Sequence, residues 1–535
     1  MAKKAVTTEQ SLESIMWNCR NALRGTVGGN EKNRDAVMGL VFLKFAGDKF
    51  DKRREAIKEQ YGDIPAFLEK KSFYLSENVF YLNETARWNY IVKHASANDI
   101  AVILDKAFAD IEDGNLPLRG VFSVKDSQGK NALRSLYTTL GTRPEQIKSL
   151  IDEVNKIDDR RFHDHDLIGR VYEYFLQVFA IDSGTSNEKG EFYTPASIVH
   201  LIAEIIEPYS GVVYDPCCGS AGMFVSSIKF VERHNGNRSK ISVVGQERNP
   251  DTWRLAKMNL AIRGIAHNLG DRPESTFAED LHKDKKVDFI MANPPFNLKL
   301  NAQGVTQDEL NGDARWDGYS APPVSNANYA WILHILSKLD VTNGIAGFLL
   351  ANGALNAPGV EADIRKQLVD NDKIEAIIVL PREMFYSTDI SVTLWILSNN
   401  KKARTLNGRN IRDHHGEMLF IDLRRWNDNI YEKKYVQFSD EQIAAVKKIF
   451  TSWQTGEGYM NVPELCRSTT KAEIAKQGYS LAPSKHIEFI DHDLEIDYAA
   501  EMSRIQGEMR EVLKAEKASQ KMLEAAFEGI GYGLN

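Results

Sequence analysis

The sequence predicts an α/β protein: a mostly parallel, doubly wound sheet set between an N-terminal helical domain and a C-terminal helical tail. Three observations carry this. Short apolar runs separated by helical periods recur between about residues 212 and 397. Before about residue 165, apolar residues instead recur at three- and four-residue intervals. Near the end, Tyr498, Met502, Ile505, Met509 and Val512 alternate four- and three-residue steps, a heptad seam that Leu523 and Phe527 extend.

These patterns divide the chain into residues 1–165 (helical), 166–400 (the sheet core), 401–490 (an extension of the core) and 491–535 (the tail). In the first part, helices are expected over 14–23, 35–50 and 99–111. A helix over 166–179 then leads into the core. Strands are expected near 212–215, 241–246, 275–278, 287–292, 344–351, 374–380 and 390–397. The last two lie close together in sequence, which suits an antiparallel pair at the edge of the sheet.

The run 287–292 is apolar enough for a buried parallel strand, and Asn293-Pro294-Pro295-Phe296 follows it directly. Prolines fix the backbone and donate no N–H, so neighbouring carbonyls are left as acceptors. An amide oxygen beside such a carbonyl can accept both hydrogens of an exocyclic amino group, and Phe296 can stack on the ring that carries it. Taken alone, the tetrapeptide serves equally well as a proline-rich turn. Upstream, Asp215-Pro216-Cys217-Cys218-Gly219-Ser220-Ala221-Gly222 follows a strand and opens a helix. Its glycine spacing is not that of a pyrophosphate loop, and it has no phosphate-binding lysine. Its small residues suit close approach of an uncharged or zwitterionic ligand, with Asp215 facing a cationic group. Glu247 ends the second strand, where a carboxylate can take both hydroxyls of a ribose. Asp280 ends the third and can reach an adenine amino group.

The ordered series resembles the S-adenosylmethionine-dependent amino-methyltransferases that act on DNA. The resemblance implies a Rossmann-like S-adenosylmethionine-dependent methyltransferase core, with S-adenosyl-L-methionine as cofactor. It makes Asp215, Pro216, Gly219, Ser220, Ala221 and Gly222 the cofactor loop, Glu247 the ribose acid, Asp280 the adenine acid, and Asn293, Pro294, Pro295 and Phe296 the catalytic motif. Asn in first place is the form of N6-adenine enzymes; Ser is more usual in N4-cytosine enzymes. Gly190-Glu191-Phe192-Tyr193-Thr194-Pro195, with Ala196 next, resembles the motif at the methionine end of the cofactor. It precedes the cofactor loop, the order of the gamma class. Ala221 stands where many relatives have Gly.

In that chemistry the two acceptors stabilise charge growing on a delocalised amino nitrogen. In-line positioning supplies most of the rest, with no metal required. His163 and His165 are expected to be surface residues. The target base must leave the duplex, with Phe296 on one face and Tyr193 or Tyr386 as candidates for the other. The stretch 297–327 has no period; it reads either as a loop folding over DNA through Lys299, Arg315 and Trp316 or as a flexible insertion.

Leu23-Arg24-Gly25 and Leu40 to Phe45 are similar to the N-terminal helical domain of type I restriction–modification methylation subunits. That family implies double-stranded DNA as substrate, a separate specificity subunit serving two copies of this chain, and a restriction/translocase subunit in the full complex. The charge points the same way. A net charge of −7 does not suit strong autonomous DNA binding, which rests on Lys and Arg against phosphate. Four cysteines without a C-x-x-C pair, an N-terminus without an apolar signal region and no run long enough to span a membrane lead us to expect a cytoplasmic protein. Three alternatives stand beside this one. They are a self-contained adenine methyltransferase reading DNA with residues 400–535, a methyltransferase for protein glutamine side chains, and a cofactor-holding scaffold without catalysis.

Overall fold

The computed structural model describes residues 10–26, 29–125, 131–158, 162, 167–182, 194–385, 391–431, 435–490, 498–529 and 532. Its central feature is a nine-stranded sheet of β1 (Gly211–Asp215), β2 (Ile241–Gly245), β3 (His267–Asn268), β4 (Phe289–Ala292), β5 (Ile345–Ala351), β6 (Ile374–Val379), β7 (Val392–Ser398), β8 (Glu417–Asp422) and β9 (Cys466–Thr470). The strand order is β9-β8-β6-β7-β5-β4-β1-β2-β3. β7 runs antiparallel to β5 and β6, and β9 antiparallel to β8; the other pairs are parallel. Every residue of β5, β6 and β7 is buried, as their nearly unbroken apolar sequences require of strands covered on both faces.

Two expectations need correction. Residues 276–278 form a turn, and the third parallel strand is the two-residue β3. The backbone acceptors a ladder would use are engaged elsewhere: the Thr276 carbonyl accepts from Arg315 Nη1 at 2.7 Å, and the Ser275 carbonyl from Glu279 N–H at 2.9 Å. The antiparallel pair β6–β7 exists, but it is interior. β8 and β9, contributed by residues 417–470, continue the sheet beyond β6, so the edge lies at β9.

The site is positioned by the reversal of strand order at β1. β2 and β3 extend the sheet to one side of β1, and β4 returns to the other, in parallel register with Val213 opposite Phe289 and Tyr214 opposite Ile290. Ligands bind at such switch points, beyond the carboxyl ends of the strands. Asp215 and Asn293 therefore leave neighbouring strands at the same end.

The longer helices of the N-terminal part are α1 (Leu12–Ala22), α2 (Gly29–Tyr61), α3 (Ile100–Gly114), α4 (Pro144–Val154) and α5 (Leu167–Asp182). The three helices expected there fall within or largely within α1, α2 and α3. Their core takes in Leu255, Met258 and Ile262 of α8 (Pro250–Ile262), which follows α6 (Ala196–Ile206) and α7 (Gly222–Arg233). Polar ties reinforce this contact: Lys49 Nζ donates to the Ile262 carbonyl at 2.6 Å, and Arg134 bridges Asp35 and Asp251. Helix α6 lies against β5 at Gly347, where a Cβ would stand 2.9 Å from Ile202 Cγ2. Its far end is held by Glu204 and Glu207, both paired with Lys447 of α10, which follows α9 (Asn328–Lys338) and spans Asp440–Thr455.

The tail is α11, Tyr498–Gly529, a 32-residue helix with no buried residue. Of the expected seam, Tyr498, Met502, Ile505, Met509, Val512 and Leu523 are exposed and Phe527 is half-buried. Among the described residues, no helix is long and apolar enough to cross a membrane.

Candidate active site

Asp215 is the last residue of β1 and is 2 % exposed. Its Oδ1 accepts from the Cys217 N–H at 3.0 Å. Burial pushes its carboxyl up to about 7, with the nearby Glu247 adding to the shift. The turn that follows is left-handed at Gly219 (φ +52°) and at Ala221 (φ +72°). An L-residue there costs roughly 1 kcal/mol or more, so Ala221 is accommodated at a backbone cost. A Cβ added at Gly219 or Gly222 would meet nothing within 4 Å, so open space faces this turn.

Glu247, two residues beyond β2, braces the turn from the side. Its Oε2 accepts from Gly219 N–H at 2.9 Å and its Oε1 from Asn249 N–H at 2.7 Å. Asn259 of α8 donates to the Ser220 carbonyl at 2.8 Å. Asp280 is 10 % exposed at its side chain and pairs with Lys338 Nζ at 2.5 Å, while its other oxygen accepts from His282 N–H. Each carboxylate oxygen retains a second lone pair. Lys338 is itself buried, and no sequence pattern pointed to it. The partnership joins residues 58 positions apart through α9, which periodicity cannot reveal.

At the end of β4, Asn293 donates from Nδ2 to Thr194 Oγ1 at 2.9 Å. Its Oδ1 is buried and has no hydrogen-bond partner among the described residues. Leaving such an acceptor unmade costs on the order of 1–3 kcal/mol, which makes it a stored binding element. Phe296 is 8 % exposed, with Phe385 edge-on at 6.2 Å between ring centroids. The structure thus brings together Thr194, Asp215 to Gly222, Glu247 and Asn293 to Phe296 around one switch point. Pro195 and Ala196 start α6 beside Thr194. Glu191, Phe192, Tyr193, Tyr386, His163 and His165 lie outside the described residues.

The stretch 297–327 is a packed cover, contrary to a flexible insertion. Leu300, Val305, Leu310 and Trp316 are buried together, and Trp316 Nε1 donates to the Leu310 carbonyl. Trp316 is therefore unavailable to DNA. Arg315 is clamped by Asp313 and donates to the Thr276 carbonyl at 2.7 Å and towards His334 Nδ1 at 3.2 Å. Its guanidinium ties the cover to the turn beside Asp280. Only Lys299 of the three suggested contacts remains exposed.

Comparison with known proteins places the chain in a family. The N-6 DNA Methylase family matches residues 163–493, and the HsdM N-terminal domain matches residues 12–152. The type I restriction enzyme HindI methylase subunit of Haemophilus influenzae is 35 % identical over 81 % of this chain and 93 % of its own length. The MjaIX methylase subunit of Methanocaldococcus jannaschii is 30 % identical over 97 % of this chain and 91 % of its own. The crystal structure of a type I restriction-modification methyltransferase subunit from Streptococcus thermophilus superposes with a TM-score of 0.68 at 21 % identity, over 89 % of this chain and 98 % of that one. The chain belongs to the N-6 DNA methylases, among the methylase subunits of type I restriction enzymes, and is an adenine-specific DNA methyltransferase.

Proposed function

We propose that this chain methylates N6 of an adenine swung out of duplex DNA, with S-adenosylmethionine as methyl donor and Asn293 as the central catalytic residue. The observation that carries the reading is the buried Oδ1 of Asn293 at the switch point, which has no hydrogen-bond partner among the described residues. Asn293 Oδ1 and the Pro294 carbonyl accept the two amino hydrogens, favouring a pyramidal nitrogen and stabilising its growing positive charge. Phe296 stacks on the base. Bound cofactor would supply a sulfonium methyl already activated towards a nitrogen nucleophile. The residues present fit that group: a buried acid for its cationic part, an open small-residue turn from Gly219 to Gly222, and Glu247 for the ribose. Asp280 contributes the adenine contact from the turn that Lys338 and Arg315 brace. Glu191, Phe192, Tyr193, Thr194, Pro195 and Ala196 serve the methionine end.

Partners follow from the same reading. A separate specificity subunit selects the DNA sequence and gathers two copies of this chain, and a restriction/translocase subunit joins in the cytoplasm. The test is tritiated methyl transfer to unmodified bacterial DNA, by the chain alone and with its neighbouring gene products, followed by nucleoside mass spectrometry. N6-methyladenine formed only with a partner is expected. Product from the chain alone would move sequence recognition into this chain, and methylated protein glutamine without any DNA product would sink the proposal.

Asp215 adds a pH dependence. Its carboxyl titrates at about 7 in the free site. A cationic ligand favours the ionised form and lowers that value, so the complex holds fewer protons than the free chain. Cofactor affinity should therefore rise with pH, by up to about tenfold per unit below pH 7, and level off above it. Calorimetry across this range checks it. A flat profile, or one that Asp215→Asn leaves unchanged, would remove Asp215 from the cationic contact.

A further inference from the structure

We infer that Thr194 is a positioning residue for Asn293, setting which end of the catalytic amide faces the substrate; this rests on the function proposed above. An asparagine side chain presents an acceptor at one end and a donor at the other, and a half-turn exchanges them. Only the acceptor serves an incoming amino group, because an NH2 facing another NH2 offers no hydrogen bond. Here the Asn293 amide donates to Thr194 Oγ1 at 2.9 Å, and that contact leaves Oδ1 as the free end. Oδ1 is buried, and no other described group holds it, so the orientation rests on the amide's nitrogen end.

Thr194 is itself firmly placed. It precedes Pro195, which caps α6, and α6 is seated against Gly347 of β5 and held at its far end by the Glu204–Lys447 pair. β4 and β5 are paired, so the residue that orients the amide and the strand that carries it share one rigid frame. The threonine hydroxyl keeps its own proton while accepting from Asn293. A hydroxyl can also donate to an amide oxygen. The orientation is therefore set when that proton is directed elsewhere in the pocket, as to an anionic cofactor group, which leaves only the oxygen's lone pairs for Asn293.

Thr194→Val keeps the shape and removes the acceptor. In the complex active on DNA, its single-turnover methyl-transfer rate at saturating cofactor should fall on the order of tenfold to a hundredfold, the effect expected of a misoriented catalytic group. Thr194→Ser, which restores the hydroxyl without the methyl, should recover most of the rate. Calorimetric cofactor affinity, measured without DNA, reports separately on the site's integrity. The inference is overturned if the valine chain has a wild-type rate once saturated, if it no longer binds cofactor at all, or if serine is as slow as valine. Asn293→Ala, run alongside, separates the two levels. An active alanine variant defeats the proposed function itself, whereas an inactive one beside a fast valine variant defeats only this assignment.

Discussion

Replacing Asn293 with Ala should lower methyl transfer on the order of a thousandfold, the upper range for one preorganised group aimed at developing charge, and should leave folding nearly untouched. The two halves of that prediction come from the two ends of one side chain. Removing Nδ2 forfeits its bond to Thr194, worth on the order of 1 kcal/mol. Removing Oδ1 relieves a buried acceptor that has no described partner, a gain of similar size. The balance is close to zero, so thermal unfolding should shift by only a few degrees. An ordinary turn residue would behave in reverse, losing stability while activity followed the fraction folded. Kinetics and calorimetric unfolding on the same preparations distinguish them, and a destabilised but active variant would make Asn293 structural. Cofactor affinity should stay within a fewfold of the parent, since the turn proposed to hold the cofactor hangs on β1 and Glu247, not on Asn293.

The parts of this site that could be read from sequence are those carried by contiguous residues. The apolar run before Asn293 announces a buried strand, and the acid-and-glycine turn after β1 announces the other half; the parallel β1–β4 pairing brings them together. What escaped are contacts between distant segments. β3 is two residues long, too short to show alternation, so the more apolar stretch at Thr276 competes with it as the third strand in the sequence. The order of β6, β7 and β5 depends on where β8 and β9 find partners, and nothing local to Ile374–Ser398 encodes that. The cover after Phe296 has no period because its burial comes from scattered apolar side chains, Leu300, Val305, Leu310 and Trp316 among them, and one clamped arginine. Thr194, which the sequence groups with residues 190–196, also contacts the Asn293 amide 99 residues away. The Lys338 partnership of Asp280 is of the same kind.

Charging the exposed seam of α11 should abolish assembly while sparing the catalytic domain. Residues Tyr498, Met502, Ile505, Met509 and Val512 are between 43 % and 67 % exposed, and no residue of the 32-residue helix is buried. A helix in a protein gains most of its stability from tertiary packing of an apolar face, so a displayed seam of this length suits completion by a partner in the assembly proposed above. A specificity subunit offering complementary helices is the partner that the proposed function requires. Ile505 and Met509 lie one turn apart on the same face. Burying each side chain is worth roughly 1.5–3 kcal/mol. Ile505→Glu with Met509→Glu forfeits both and adds two carboxylates to an apolar contact, so affinity for the partner should fall by at least about a hundredfold. Partner-dependent methylation should disappear with it. Cofactor affinity should remain at the parental value, because the seam is remote in the chain from β1, Glu247 and Thr194 and no described contact joins them. Co-purification of the double variant with the specificity subunit at normal yield would show that the complex is built through another surface.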